Sequence, residues 1–254
     1  MDGAEHLGHL TRDGALLADA ARKAGPDAEV PTCPGWRIRD VLRHTGRVHR
    51  WATAFVADWH TGPRAPGGEP DLDGDALVEW FREGHGLLVT ALSTAPADLE
   101  CWSFLPAPTP LAFWTRRQAH ETAVHRVDAE SALAGTAHTP LDPRFAADGI
   151  DELLRCFHAR ERSRVRSEVP RVLRVRATDT DDVWTVRISR EPPRTAHARS
   201  VRDGEAVTAD CELSGPAGTL QLTLWNRLPL DSVTLTGDPD LARLWRDTSA
   251  VVMS

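Results

Sequence analysis

Hydrophobic residues in the first 160 positions recur at the spacing of amphipathic helices. Leu7, Leu10 and Leu17 share one face of the first predicted helix, and Leu77 and Phe81 share one face of the third. Segments rich in proline or glycine separate these stretches. The predicted helices span residues 4–24, 37–59, 75–94, 111–134 and 143–162. Several long helices joined by loops predict a helical bundle, and bundles build metal sites from side chains on facing helices.

Beyond Pro170 the pattern changes to alternation with period two, which is typical of half-buried strands. Alternating sets occur at residues 171–177, 184–189, 209–213 and 233–235. Residues 219–225 fit strand alternation and a short buried helix equally well. Asp238 and Pro239 form a good N-cap and first-turn pair for a final helix.

The change of period predicts an α+β protein with two domains. The boundary falls near residues 162–170. We therefore expect a helical bundle over residues 1–165 and a small α+β domain over residues 166–254.

The composition is that of an ordinary globular protein, with 41% hydrophobic and 26% charged residues among 254. The net charge of −7 and the lack of a long basic block argue against nucleic acid or an anionic membrane as the main partner. No apolar run approaches membrane-spanning length. The N-terminus lacks the basic-then-apolar pattern of a signal peptide, so we expect a cytoplasmic protein.

Several common catalytic patterns are missing from the sequence. There is no Gly-x-Gly-x-x-Gly or phosphate-binding loop, no Gly-x-Ser-x-Gly motif and no tyrosine. The cysteines are too widely spaced for a zinc ribbon or redox pair, and we expect free, mostly buried thiols. They are Cys33, Cys101, Cys156 and Cys211. These absences remove most nucleotide-dependent and serine-hydrolase functions.

The candidate chemistry lies in the fourth predicted helix, where Glu121 and His125 are one turn apart on the same face. A third ligand could come from His44, on the apolar stripe of the second predicted helix. Two His and one Glu with an open coordination position is the composition of a catalytic zinc site. The alternative is a buried Glu–His ion pair, because a carboxylate inside an apolar bundle needs a partner. Other histidines, including His49 and His158, lack a partner at ligand spacing and are expected to be ordinary surface or hydrogen-bonded residues.

Three segments of the chain resemble the mycothiol-dependent maleylpyruvate isomerase family, within the DinB-like metalloenzyme superfamily. They are Val-Pro-Thr-Cys-Pro-Gly-Trp at 30–36 followed by Asp-Val-Leu at 40–42 and His44, Glu-Thr-Ala-Val-His-Arg at 121–126 followed by Asp-Ala, and Leu-Trp-Asn-Arg-Leu at 224–228 followed by Val-Thr-Leu-Thr-Gly-Asp at 233–238. The resemblance spans nearly the whole chain and keeps the order of the motifs. It implies that the bundle is a DinB-like metal-binding domain.

The resemblance also implies a divalent metal, typically zinc, bound by His44, Glu121 and His125, the residues that the spacing selects. It implies mycothiol, a small-molecule thiol, as cofactor and nucleophile. Arg227 matches a family arginine, which implies a catalytic, anion-binding role for it. The chain departs from the family pattern at Arg37, Thr45 and Val127.

The leading hypothesis is a metal- and thiol-dependent enzyme that acts on a small electrophilic substrate. The metal would lower the pKa of the thiol, and the thiolate would add to an electrophilic carbon. Bond rotation and elimination would make the enzyme a cis/trans isomerase, whereas keeping the adduct would make it an S-transferase. Asp128, three residues after His125, could orient that imidazole. The alternatives are a metal-dependent hydrolase and a non-catalytic metal-binding sensor. The expected partners are the substrate and the thiol, with the protein a monomer or homodimer.

Overall fold

The computed structural model describes residues 1–135, 137–199 and 208–251. Its elements form two compact units, Met1–Thr139 and Pro140–Ser254. Helices make up the first unit, and a sheet with helices makes up the second. The α+β class predicted from the change of period is confirmed. No helix within the described ranges is long and apolar enough to cross a membrane.

The first unit contains four helices, whose ends differ from the predicted ones by three residues or fewer. They are α1 (Gly3–Ala24), α2 (Ile38–Ala57), α3 (Gly74–Thr94) and α4 (Pro110–Ser131). Asp2 and Glu5 start α1 with reciprocal side-chain-to-backbone hydrogen bonds, which satisfy two amide groups of the first turn. Thr109 caps α4, and Pro110 occupies its first turn.

The core of the first unit lies between α1, α2 and α3 and includes Leu17, Val41, Leu42 and Phe81, all almost completely buried. α1 packs mainly against α4, and α2 against α3. Gly46 lets α2 and α3 approach closely, because a Cβ at this position would lie 2.2 Å from the Trp80 ring.

Within its described residues, the second unit contains a five-stranded sheet with the order β3-β2-β1-β4-β5. Its elements are α5 (Pro143–Asp151), which continues into a π-helical segment (Glu152–Phe157), β1 (Arg171–Ala177), β2 (Asp182–Ile188), β3 (Arg194–Arg199), β4 (Cys211–Gly215), α6 (Ala217–Leu224), β5 (Thr234–Gly237) and α7 (Pro239–Thr248). β1 and β4 are parallel, and the other neighbouring strands are antiparallel. Val175 is paired with Trp184 on one side and Leu213 on the other, and all three are buried.

The fifth predicted helix belongs to the second unit, because α5 packs against α6. The predicted domain boundary at 165/166 therefore differs from the division at 139/140. Helical periodicity shows that a segment is amphipathic, but it does not show which core the apolar face joins. The ambiguous residues 219–225 are helical in α6 up to Leu224, and β3 was not predicted.

Candidate metal centre

Helices α2 and α4 bring the three predicted ligands together. Glu121 Oε1 lies 3.2 Å from His44 Nε2 and 3.3 Å from His125 Nε2. The three ligand atoms all lie within 4.8 Å of one another. Glu121 and His125 are buried, and His44 is partly exposed. The donor set is therefore reachable from solvent on the His44 side.

This donor set fits a divalent cation such as zinc. Ligands of a tetrahedral zinc ion at bond lengths of about 2.0–2.1 Å lie about 3.3 Å apart, close to the two separations from Glu121 Oε1. The same separations also suit direct contacts between the carboxylate and the two imidazoles, the arrangement of the buried ion pair. Imidazole nitrogens and one carboxylate oxygen form a mixed set that leaves a zinc ion one free position.

Helix α4 is unusual because it is buried on nearly every side from Phe113 to Glu130, although it carries many charged residues. Buried charges are tolerated only when they are paired. Arg126 supplies one such pairing, since its guanidinium contacts Glu130 at 2.7 Å and Asp13 at 3.6 Å. Arg117 supplies another, with Nη2 3.1 Å from Glu121 Oε2. The two oxygens of Glu121 therefore have different neighbours.

Asp128 orients His125 through the second imidazole nitrogen. Its Oδ2 lies 2.9 Å from His125 Nδ1, and its Oδ1 accepts a hydrogen bond of 2.7 Å from Thr32 Oγ1. Asp128 is fully buried. A carboxylate on Nδ1 keeps the proton on that nitrogen and directs the lone pair of Nε2 toward a metal. The structure thus contains the contact predicted for Asp128.

The charges of this cluster reinforce one another. Burial alone raises the pKa of Glu121, but hydrogen bonds from His125 and His44 and the charge of Arg117 outweigh it, so the pKa lies well below the ordinary value. Burial alone lowers the pKa of His125, but Asp128 and Glu121 outweigh it and raise that pKa to about 9. Without a metal, the cluster therefore holds an imidazolium beside an ionised carboxylate. A cation that binds to His125 Nε2 must displace a proton.

The Trp36 ring forms a wall beside the candidate ligands. Its centroid lies 5.3 Å from the His44 ring and 6.1 Å from the His125 ring, to which it is nearly parallel. Trp36 ends the Pro-rich turn that contains Thr32. The turn thus contacts the cluster through both a hydroxyl and an aromatic ring.

His49 lies in the same helix pair and is completely buried. Its Nε2 lies 2.8 Å from Thr122 Oγ1, so the pair links α2 to α4 next to Glu121. Burial and the nearby His85 lower the pKa of His49 well below its ordinary value, and the ring is neutral. The sequence predicts an ordinary surface or hydrogen-bonded histidine at this position, and His49 is of the hydrogen-bonded kind, with a partner 73 residues away in the sequence.

Arg227 lies in the second unit, directly after α6. Asn226 takes a left-handed conformation with φ of 61°, which asparagine tolerates better than most residues. The Arg227 amide then donates to Leu222 O at 2.7 Å, and its Nη1 donates to Trp225 O at 3.0 Å. The side chain is partly exposed. A short turn therefore fixes the backbone that carries the Arg227 guanidinium.

Sequence reasoning missed Thr32, Trp36 and Arg117 as neighbours of the candidate ligands. Arg117 had a usable signal, because it stands four residues before Glu121 on the same face of α4. Spacing gave no signal for Thr32, which lies 96 residues from Asp128, although Thr32 belongs to the 30–36 segment that carries the family resemblance. The cysteines match expectation: none of the four forms a disulfide, and all but Cys33 are buried.

Comparison with known proteins agrees with the two-part organisation. The mycothiol maleylpyruvate isomerase N-terminal domain matches residues 7–130, and the MDMPI C-terminal domain matches residues 144–244. Two similar solved structures are those of the mycothiol-dependent maleylpyruvate isomerase and of a mutant of that enzyme. Their TM-scores are 0.62 and 0.63 and their identities 15% and 14%, with 93% of each chain covered. No curated protein sequence matches the chain. At these identities the structural comparison establishes the fold.

Proposed function

Since the chain belongs to the mycothiol maleylpyruvate isomerase family, both of whose domains it contains in order, we propose that it is a metal- and thiol-dependent enzyme that isomerises a small electrophilic substrate. The observation that carries the proposal is the His44, Glu121 and His125 donor set, formed by two facing helices of the first family domain. A purely structural bundle does not require two imidazoles and a carboxylate with their ligand atoms within 4.8 Å.

Each residue of the cluster has a proposed task. His44, Glu121 and His125 would hold the metal, and Asp128 would hold the proton on His125 Nδ1, so that Nε2 is the nitrogen that gives up its proton to the metal. When bound, the metal would lower the pKa of the mycothiol sulfur, so that a thiolate nucleophile exists at neutral pH. Trp36 would shield one side of the site from water.

Arg227 is proposed as the residue that binds the anionic group of the substrate or of the thiol. A guanidinium offers a permanently charged, bidentate fork that matches a carboxylate. The turn after α6 fixes its backbone, which favours a positioned contact over a loosely held charge. The cytoplasmic location and the monomeric or homodimeric state stay predictions from sequence.

The deciding experiment combines metal analysis with assays on maleylpyruvate, with and without added mycothiol. We expect about one divalent ion per chain and turnover that requires the thiol without consuming it. Consumption of thiol in step with substrate would indicate an S-transferase instead. Hydrolysis without thiol would indicate a metal-dependent hydrolase. A metal-loaded protein that does not turn over maleylpyruvate, with or without thiol, would favour a sensor.

A further inference from the structure

We propose that Arg117 is a positioning residue that restricts Glu121 to binding the metal through one oxygen and so keeps a coordination position open for the thiol. This inference rests on the proposed function, because it concerns the same donor set. Arg117 touches neither substrate nor metal in this proposal, and it acts through Glu121.

The two oxygens of the Glu121 carboxylate are divided between different partners. Oε1 faces both imidazoles, at 3.2 Å from His44 Nε2 and 3.3 Å from His125 Nε2. Oε2 lies 3.1 Å from Arg117 Nη2. A cation beside both imidazoles therefore meets Oε1, while Oε2 is already engaged by the guanidinium.

The number of oxygens that Glu121 supplies decides how many positions remain open. Carboxylates bind cations through one or both oxygens. Two imidazoles and one oxygen leave a tetrahedral ion one free position, whereas two imidazoles and both oxygens fill all four. A contact that occupies Oε2 therefore preserves the position that a catalytic site needs.

Arg117 is well placed to occupy Oε2 permanently. Its side chain is only 1% exposed, so water competes little for the guanidinium. It stands one turn before Glu121 on the same helix, and the backbone of α4 fixes the distance between the two side chains. An ion pair removed from water loses much when one partner is freed, which opposes rotation of Oε2 toward the metal.

The test uses Co²⁺ as a spectroscopic probe of the full-length protein and 2-mercaptoethanol as the thiol. Visible absorption of Co²⁺ is strong in four-coordinate sites and weaker at higher coordination, and a bound thiolate adds a charge-transfer band in the near ultraviolet. We expect Arg117→Met to bind Co²⁺ but to need at least about 10-fold more thiol for half-saturation of that band, as for other residues that orient ligands. Its visible spectrum should also differ from that of the wild-type protein.

Two further variants make the result specific. Arg117→Lys keeps a charge without the planar fork, and its thiol affinity should lie between those of wild type and Arg117→Met. Arg47→Met is the matched control, because Arg47 lies on α2 three residues after His44 and is paired with Glu69 at 3.6 Å. It should leave both spectra unchanged.

The outcomes distinguish a failure of the role proposed for Arg117 from a failure of the proposed metal site. Unaltered thiol affinity and spectrum in Arg117→Met would overturn the role of Arg117 while leaving the metal site intact. Loss of Co²⁺ binding in both Arg117 variants would also overturn it, by showing that Arg117 is needed to assemble the site. A wild-type protein that binds no Co²⁺ would refute the proposed function and this inference together.

Discussion

Asp128 shows how one side chain connects two distant parts of the first unit. One oxygen accepts from Thr32, and the other faces His125 Nδ1. The carboxylate is fully buried, so neither contact is replaced easily by water. The Pro-rich turn and a candidate metal ligand therefore share one anchor, and the position of that ligand depends on residues well outside α4.

At the residue scale, the histidines of the donor set should be essential for metal binding. His44→Ala and His125→Ala each remove one of three ligands, and each should abolish the stoichiometric metal content of purified protein. Elemental analysis checks this against His138→Ala, a histidine outside the donor set. If both variants keep a full complement of metal, the ion binds elsewhere.

Arg227→Ala should leave the metal content unchanged and lower kcat/KM by roughly 10- to 1,000-fold, as expected when a charge-stabilising contact is lost. Arg227→Lys should recover only part of the loss, because an ammonium cannot reproduce the bidentate fork. Steady-state kinetics of the metal-loaded variants provides the measurement. Arg243→Ala removes a mostly exposed arginine of α7 and should be neutral. Wild-type kinetics in Arg227→Ala would leave this residue without a catalytic task.

At the scale of elements, the buried bond between His49 and Thr122 holds α2 against α4. Thr122→Val leaves the imidazole Nε2 buried without its partner and should lower the free energy of unfolding by about 1–3 kcal/mol. The double variant His49→Phe, Thr122→Val should lose less than the sum of the two single changes. Urea unfolding of wild type, the two single variants and the double variant gives the coupling energy.

Thr115→Val is the control for this cycle, since Thr115 is also buried on α4 but its hydroxyl donates to Leu111 O of the same helix at 2.8 Å. It should show no coupling to His49→Phe. Strict additivity of His49→Phe and Thr122→Val would mean that the bond does not join the helices energetically.

His158, after the π-helical segment, should make the second unit sensitive to acid. It is buried against Trp245, with Nδ1 2.9 Å from Ser163 Oγ. Burial, with the nearby Arg160 and Arg166, lowers its pKa to about 4. As the pH falls, His158 takes up a proton near pH 6.5 in the unfolded chain, but only near pH 4 in the folded protein. The neutral ring therefore contributes its full stability above pH 6.5 and loses up to about 3 kcal/mol as the pH falls toward 4.

The measurement is the free energy of unfolding of wild type and His158→Phe across this range. The difference between the two should change with pH between 6.5 and 4 and stay constant above 6.5. A constant difference between wild type and His158→Phe would mean that His158 titrates alike in both states.

At the scale of the whole molecule, metal binding should appear as thermal stability. The donor set joins α2 to α4, so an ion bound there stabilises the folded first unit relative to the unfolded chain. With free metal at 100 times its Kd, the gain is about 2.7 kcal/mol. Calorimetry should show a higher Tm for metal-loaded than for chelator-treated wild type. His44→Ala should have the same Tm with metal as after chelator treatment. If metal raises the Tm of His44→Ala as much as that of wild type, the stabilising ion binds elsewhere.

The parts of the molecule that were predictable from sequence are those with strong local signals. The four helices of the first unit followed from apolar spacing, and Glu121 and His125 followed from their separation of one turn. His44 was proposed from its place on the apolar stripe of α2, but its position facing Glu121 needed the fold, because the two residues lie on different helices. The end of α5 in a π-helical segment was not predictable, since the same residues fit a continuing α-helix.

β3 was missed because its residues, Arg-Thr-Ala-His-Ala-Arg, show no apolar alternation and are largely exposed. Among the described residues it is an outermost strand of the sheet, and backbone groups at a sheet edge can recruit a strand from another chain. Arg194 begins β3 and Arg199 ends it, with the Arg199 side chain 82% exposed and 3.7 Å from Asp182, so an approaching strand meets charged side chains and little hydrophobic surface. The polar composition that hides β3 from a periodicity search therefore also disfavours edge-to-edge pairing with another chain.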